Sequence, residues 1–490
     1  MITRRGMVAG LLAGAAGGAL GTGWPVWADG PAASPRPVRR PSPPGTTERL
    51  VEQARLGGVT GFVVADAATG RILESRDADV PVPPASVVKA ITAIYALDRL
   101  GAGYRFATRV MRVGEIGGPV LSGDLVLAGG GDPVLDTDQL GDLVASLALT
   151  GIRRVTGRFL AVAGALPQLD RIAADQPDHV GYNPGLSGLN LNFNRVHFEW
   201  RRAAGDWVIA MDARAERFVP RVTMARMAVA PREVPLFTLE VRPGVEDWTV
   251  ASAALGDGGS RWMPVRQPAV YTAEVFRTLC AEQGIVLPQG EVVRALPAGA
   301  RRIVERVSPP LADVVRDMLR FSTNLTAEAM GLTATGAGTL RGSGAVMTAW
   351  AGRRLGIDAR FVDHSGLHGA SRVTAGAMLT ALIAADRAGM PLRGLLRDVG
   401  MRDAKGLVIE GHPVKVRAKT GTLNFVSGLA GFILPPAGRA LTFAIFSADA
   451  ARRGALAMDD REDPEGGQEW TGRARALQAQ LVGRWAAAFG

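Results

Sequence analysis

The sequence predicts a mixed α/β domain built from the two ends of the chain and interrupted by a large β-rich insertion. Three observations carry that expectation. A β-hairpin pattern at 59–75 runs into a helical pattern after Pro84. From 110 to about 300 the periodicity shifts to short strands and glycine-rich turns such as Gly129-Gly-Gly-Asp-Pro133. Helical spacing then returns at Leu311, and strands follow from 413 onward.

The elements follow in order. Arg4-Arg5, the Gly/Ala-rich apolar run Met7–Leu20 and the small residues of Val26-Trp-Ala28 read as a signal peptide over 1–28. Thr3-Arg4-Arg5 fits a twin-arginine export signal and an ordinary secretory one equally well. The run is too short and glycine-rich for a stable membrane span, and no later stretch is long enough. Residues 29–46 form a proline-rich linker. In the hairpin, Val59-Thr-Gly-Phe-Val-Val-Ala65 and Arg71-Ile-Leu-Glu-Ser75 flank Asp66-Ala-Ala-Thr-Gly70. The next helix carries Val87, Ile91, Ile94, Leu97 and Leu100 near a 3.6-residue period. After the insertion, Ser308-Pro-Pro310 caps a helix with Leu311, Val314, Val315, Met318 and Leu319. Further helices fall between 340 and 400, and strands at 413–420, 425–434 and 440–447. A last helix bears Trp470, Ala474, Leu477, Leu481 and Trp485. The expected division is 47–109 with 300–490 as one domain, and 110–299 as the insertion.

Composition narrows the class. Hydrophobic residues at 47% and charged residues at 21% suit a soluble globular chain. Cys280 stands alone, which excludes an internal disulfide and a cysteine zinc cluster, and reads as a buried apolar residue. A net charge of +10 suits an anionic polymer or membrane face; the basic residues are scattered, without the stripe that nucleic-acid binding needs. His364 and His368 are four apart, but Gly366 between them argues against a helical zinc pair.

Three triplets carry chemistry. In Ser86-Val-Val-Lys89 a serine and a lysine share one face at a helix start, where backbone N–H groups and the helix dipole favour an oxyanion. A desolvated lysine there can accept the serine proton. Ser322-Thr-Asn324 follows a helix and offers a hydroxyl to relay a proton and an amide to hold a peptide backbone. Lys419-Thr-Gly421 ends a strand whose alternation puts Lys415, Arg417 and Lys419 on one face. Such a strand could dock a carboxylate-terminated peptide along its edge, with Gly421 leaving room for the approach. Singly, each has a plain structural reading: a chance match, a helix cap, a solvated strand face. All three occur here in order and in fitting contexts.

The set resembles that of penicillin-binding proteins and serine β-lactamases. The stretch from Ser86 to Ser322 is much longer than in class A β-lactamases, and no E-x-x-L-N supplies their deacylating glutamate. The flanks Pro84–Lys89, Gly123–Leu135, Leu189-Asn-Leu-Asn-Phe-Asn194, Ser322-Thr-Asn-Leu-Thr-Ala-Glu328 and Lys419-Thr-Gly-Thr-Leu423 instead resemble the D-alanyl-D-alanine carboxypeptidase/endopeptidase family of the penicillin-binding protein 4 type (peptidase family S13). The resemblance spans about 48–486.

It implies a transpeptidase-like fold, with an antiparallel sheet flanked by helices, and cleavage of peptidoglycan stem peptides through an acyl-enzyme. By the same resemblance Ser86 is the nucleophile and Lys89 its base. Ser322 and Asn324 relay the proton and contact substrate; Lys419 supports that hydroxyl and, with Thr420, holds the terminal carboxylate. Thr420, Gly421 and Thr422 bind substrate, and the N–H groups of Ser86 and Thr422 form the oxyanion hole. It further implies no metal or cofactor, covalent inhibition by β-lactams and a periplasmic location. Departures are His364 in Asp363-His-Ser-Gly-Leu367, where the family usually has glycine; Leu160–Ala165, without the family's aspartate; and Met401–Gly406 in place of a glycine-threonine-leucine turn. The alternatives are a non-catalytic cell-wall-binding homologue and a β-lactamase-like hydrolase.

Overall fold

The computed structural model describes residues 46–403 and 406–490. The expected signal peptide and nearly all of the linker lie outside the described residues. Among these, no helix is long and apolar enough to cross a membrane.

Both chain ends build one sheet. Its strand order is Arg397–Asp398, Lys415–Leu423, Val426–Leu434, Leu441–Ala448, Val59–Asp66 and Ile72–Arg76. Every neighbouring pair is antiparallel. The hairpin at the start of the described chain therefore completes a sheet made at its end. Leu441–Ala448 is buried along its whole length, and Val426–Leu434 along all but its last residue. Continuous apolar runs of this kind belong to central strands covered on both faces. On one face Phe62, Val64, Phe443 and Ile445 pack against Trp470, Leu477 and Trp485 of the last helix, Gly467–Phe489. On the other, Val63, Ala444 and Phe446 meet Val87, Ile91 and Ile94 together with Met330 and Leu382. The last helix has all five residues of its expected stripe buried.

The central part of the chain forms separate sheets. A six-stranded one includes Ala107–Gly117, Val120–Gly129 and Arg301–Val307, and two three-stranded sheets lie between these in sequence. This region is less purely β than its turns imply. Helices Thr137–Ala148 and Pro268–Glu282 interrupt it. Leu140, Leu143, Val144 and Leu147 bury the inner face of the first; Cys280 is buried in the second. Helices Leu311–Phe321, Asn324–Thr335, Leu340–Leu355 and Ala375–Arg387 follow this region in sequence and precede the last strands.

Candidate active site

Ser86 belongs to a 3₁₀ turn, Ala85–Val88, that leads into helix Lys89–Leu100. The turn is tight enough to hold Ala85 at φ +46°, a left-handed conformation that costs an alanine energy. Two close glycine approaches hold it there. A Cβ on Gly366 would lie 1.9 Å from Ala85 O, and one on Gly421 would lie 2.9 Å from Pro84 O and 3.0 Å from Ser86 N. Gly421 is thus required by packing of its strand on the serine turn, a tighter demand than the substrate clearance expected from sequence. The strand also runs on to Leu423, so Lys419-Thr-Gly421 lies inside it rather than at its end.

Lys89 is fully buried, and all three of its ammonium donors are used. They reach Ser86 Oγ at 2.8 Å, Asn324 Oδ1 at 2.7 Å and Ser365 O at 2.7 Å. Burial pulls its pKa down to about 7, against the opposing pull of Glu328 and Asp363. Near neutral pH a large fraction is therefore the free amine, and it touches the serine hydroxyl.

The second hydroxyl comes from the end of helix Leu311–Phe321, where Ser322 adopts φ +59°. Its Oγ accepts a hydrogen bond from Lys419 Nζ at 2.9 Å, and Lys419 also donates to Thr420 O at 2.8 Å. Lys419 is 1% exposed; burial, then the charges of Lys89 and Arg397, hold its pKa well below the ordinary lysine value. Asn324 bridges two regions, since its Nδ2 donates to Tyr182 O at 2.9 Å while Oδ1 takes Lys89. One amide N–H remains for a ligand.

These side chains line one cleft of about 340 Å³, shared by Ser86, Ser322, Asn324 and Thr422 with Tyr182 and Arg453. The sequence-expected residues Ser86, Ser322, Asn324 and Thr422 line it, with Lys89 and Lys419 hydrogen-bonded behind them, while Thr420 and Gly421 line a separate cavity of about 240 Å³ with Arg397. A larger cavity of about 720 Å³, lined by residues such as Gln168, Arg226 and Glu274, contains none of them. Chemistry and not volume marks the site.

Sequence reasoning missed the layer behind Lys89. Glu328 accepts from the N–H groups of Ser365 (2.8 Å) and His364 (3.0 Å), and so aims Ser365 O at Lys89. Asp363 accepts from His368 N and Ser371 Oγ, each at 2.9 Å. Burial, reinforced by Asp363, pushes the Glu328 carboxyl up from its ordinary range. The available signal was a single acid in a helix otherwise made of Asn, Ala, Gly, Leu, Met and Thr. The inserted region is the other omission, for it contributes Tyr182 and Gln176 to the cleft.

His364 has a structural account. Its ring fills the space beside Gly331, where a Cβ would come within 2.1 Å of it, and Nε2 meets Ser343 Oγ at 2.6 Å. Burial lowers its pKa to about 3, so it is neutral. Among the described residues one trio, His197, Glu199 and Asp212, offers metal-type ligand atoms within 4.8 Å. Arg214 already bonds both carboxylates, at 2.6 Å to Asp212 and 2.7 Å to Glu199, and fills the role of a cation there.

Comparison with known proteins bears on the family and the fold. The model of the D-Ala-D-Ala carboxypeptidase 3 (S13) family matches residues 46–465. A D-alanyl-D-alanine carboxypeptidase of Actinomadura sp. (strain R39) is 28% identical over 449 residues, covering 84% of this chain and 81% of its own. Carboxypeptidase Rv3627c of Mycobacterium tuberculosis is 28% identical over 457 residues, covering 86% and 83%. The crystal structure of penicillin binding protein 4 from Haemophilus influenzae superposes with a TM-score of 0.71 at 20% identity, over 89% of this chain and 99% of that one. The same protein complexed with a β-lactam gives 0.69. The fold is shared.

Proposed function

Since the chain belongs to the D-Ala-D-Ala carboxypeptidase 3 (S13) family, and is a serine-type D-Ala-D-Ala carboxypeptidase, we propose that Ser86 is its acylated nucleophile and Lys89 the base that activates it. One observation carries the assignment: a fully buried lysine, drawn to about 7, lies 2.8 Å from the serine hydroxyl.

Neutral Lys89 takes the Ser86 proton as Oγ attacks the carbonyl of the penultimate D-alanine. The oxyanion is received by the N–H groups of Ser86 and Thr422. Val399 N–H donates to Val416 O at 2.8 Å, and the two-residue period then turns the same backbone edge outward at Thr420 and Thr422, which supports that role. Ser322, backed by Lys419, relays the Ser86 proton from Lys89 to the leaving amine as the C–N bond breaks, which leaves Lys89 neutral again. Water then attacks the ester, giving its proton to Lys89, and the acyl C–O bond breaks as Ser86 Oγ takes that proton back. Thr420, Thr422 and Asn324 hold the peptide, and Gly421 keeps the strand against the serine turn. Residues 47–109 and 300–490 act as the catalytic domain and 110–299 as an inserted domain that walls the cleft. Peptidoglycan stem peptides are the substrate, β-lactams acylate Ser86, and the exported chain works in the periplasm. Cross-linked peptides, whose leaving group is also an amine, are a second substrate.

A fluorescent penicillin tests the reading. A stable adduct of matching intact mass is expected on the wild type and none on Ser86→Ala. No adduct on a folded wild-type chain would sink it; rapid labelling followed by rapid release would favour a β-lactamase.

A further inference from the structure

The larger cavity, of about 720 Å³, lies in the inserted region and shares no residue with the cleft at Ser86. Its volume is that of a site for a short peptide or another small molecule. One wall is a face of helix Pro268–Glu282, on which Val270, Ala273, Glu274 and Arg277 recur three or four residues apart. Leu169, Met224 and Val292 add apolar surface, and the exposed amides of Gln168 and Gln289 stand at its opening.

The charges around this cavity do not balance. Arg226 and Arg277 are exposed and, among the described residues, neither makes an ion pair; Arg226 Nε donates to Thr223 O at 3.1 Å. Both acids of the lining are engaged. Glu274 accepts from Thr223 N at 2.5 Å, Thr223 Oγ1 at 2.9 Å and Met224 N at 2.9 Å, while Asp170 pairs with Arg171 at 3.0 Å. Arg266 also lines the cavity and is only 3% exposed. Its terminal nitrogens donate to the carbonyls of Asp170, Asn183 and Asp178, and one lies 3.8 Å from the Asp178 carboxylate. Its Nε, buried as well, has no hydrogen-bond partner. A buried donor left unanswered is costly until an acceptor reaches it. The helix starts at the same place, and no side chain caps its N-terminus, where the dipole favours an anion. Glu246, behind that end, spends one oxygen on the N–H groups of Arg266 (2.8 Å) and Gln267 (2.7 Å) and does not line the cavity.

We propose that this cavity docks a second stem peptide of peptidoglycan through its carboxylates, apart from the stem being cut at Ser86. Guanidinium groups answer carboxylates well, and the apolar wall suits the methyl groups of alanine. Stems are crowded along the polymer, so a second, weak contact raises the effective concentration of substrate at Ser86 without entering the reaction. The inference rests on the peptidoglycan reading above and adds to it a place where the polymer is held rather than cut.

The probe is the tripeptide L-Ala-γ-D-Glu-L-Lys, which has two free carboxylates and no D-Ala-D-Ala end, set against its diamide. Each is titrated by calorimetry into the full chain after benzylpenicillin has acylated Ser86 and so filled the cleft. The acylated wild type should still bind the tripeptide. The paired substitution Arg226→Gln with Arg277→Gln should weaken binding about tenfold or more, and the diamide should bind the wild type as poorly. In that variant kcat/KM for a soluble N-acyl-D-Ala-D-Ala should be unchanged, which also reports an intact fold, while D-alanine release from whole sacculi should fall several-fold. Binding abolished by acylation, undiminished in the variant, or equal for the diamide would overturn the proposal and leave the Ser86 reading intact. A wild type that forms no penicillin adduct would sink the Ser86 reading instead, and the variant and diamide comparisons on the unmodified chain would still decide the docking site.

Discussion

Lys89 rises from a helix with two carboxylates behind it, Glu328 and Asp363, whereas Lys419 projects from a strand with cations, Lys89 and Arg397, as its charged neighbours. Both are buried, and burial is the leading cause of depression in each. The acids restrain the shift at Lys89, which stays near 7; nothing comparable restrains it at Lys419. The helical side of the cleft carries its own counter-charge. The strand side lacks one, and an anionic ligand would supply it.

Substitutions on each side should therefore fail differently. Replacing Lys89 by methionine keeps the volume and removes the base. The rate of Ser86 acylation by penicillin should fall by about 10³-fold, within the span for a positioned general base. A loss of only a few-fold would mean another group takes the proton. Lys419→Met should cost less, about 10²-fold in kcat/KM, because it removes support for Ser322 and attraction for the ligand but leaves the nucleophile's base. An effect on kcat with none on KM would argue against a role in anion binding.

The pH profile separates the two sides more finely. Only neutral Lys89 can accept a proton, so acylation should climb as pH rises through about 7 and level off above it. Glu328 favours the charged form of Lys89, and Glu328→Gln should move the midpoint to lower pH by up to about one unit. A midpoint that did not move would detach Glu328 from the base. The smallest catalytic effect is expected at His364. His364→Gly empties the space beside Gly331 and should destabilise the chain by about 2–4 kcal/mol, seen as a lower thermal midpoint, with little change in the Ser86 labelling rate.

The motif residues were legible because each lies where local rules speak: Ser86 and Lys89 one turn apart at a helix start, Lys419 in an alternating strand, Ser322 after an amphipathic helix whose expected Ser308 cap instead accepts from Phe106 N. The sheet strands were legible for the same reason, as apolar runs bounded by Gly and Pro. Glu328, Asp363 and Tyr182 were not. Their contacts arise only when distant segments meet: Glu328 acts through the backbone of Ser365, and Tyr182 through its carbonyl. No periodicity records such a contact. Gly421 was read as leaving room for a peptide; the tertiary packing adds a demand that no local pattern records, the serine turn beneath it.

The pairing of Val59–Asp66 with Leu441–Ala448 also bears on the order of assembly. Thr60 Oγ1 meets Ser447 Oγ at 3.2 Å across 387 residues of chain. A ribosome completes the serine turn long before it reaches the strands that hold that turn against Lys419. Closing so long a loop is slow, and until it closes the first hairpin has no central strand to join. The nucleophile is thus among the earliest parts to be made and among the last to become competent: a nascent or C-terminally clipped chain holds an idle serine, and activity reports a finished molecule.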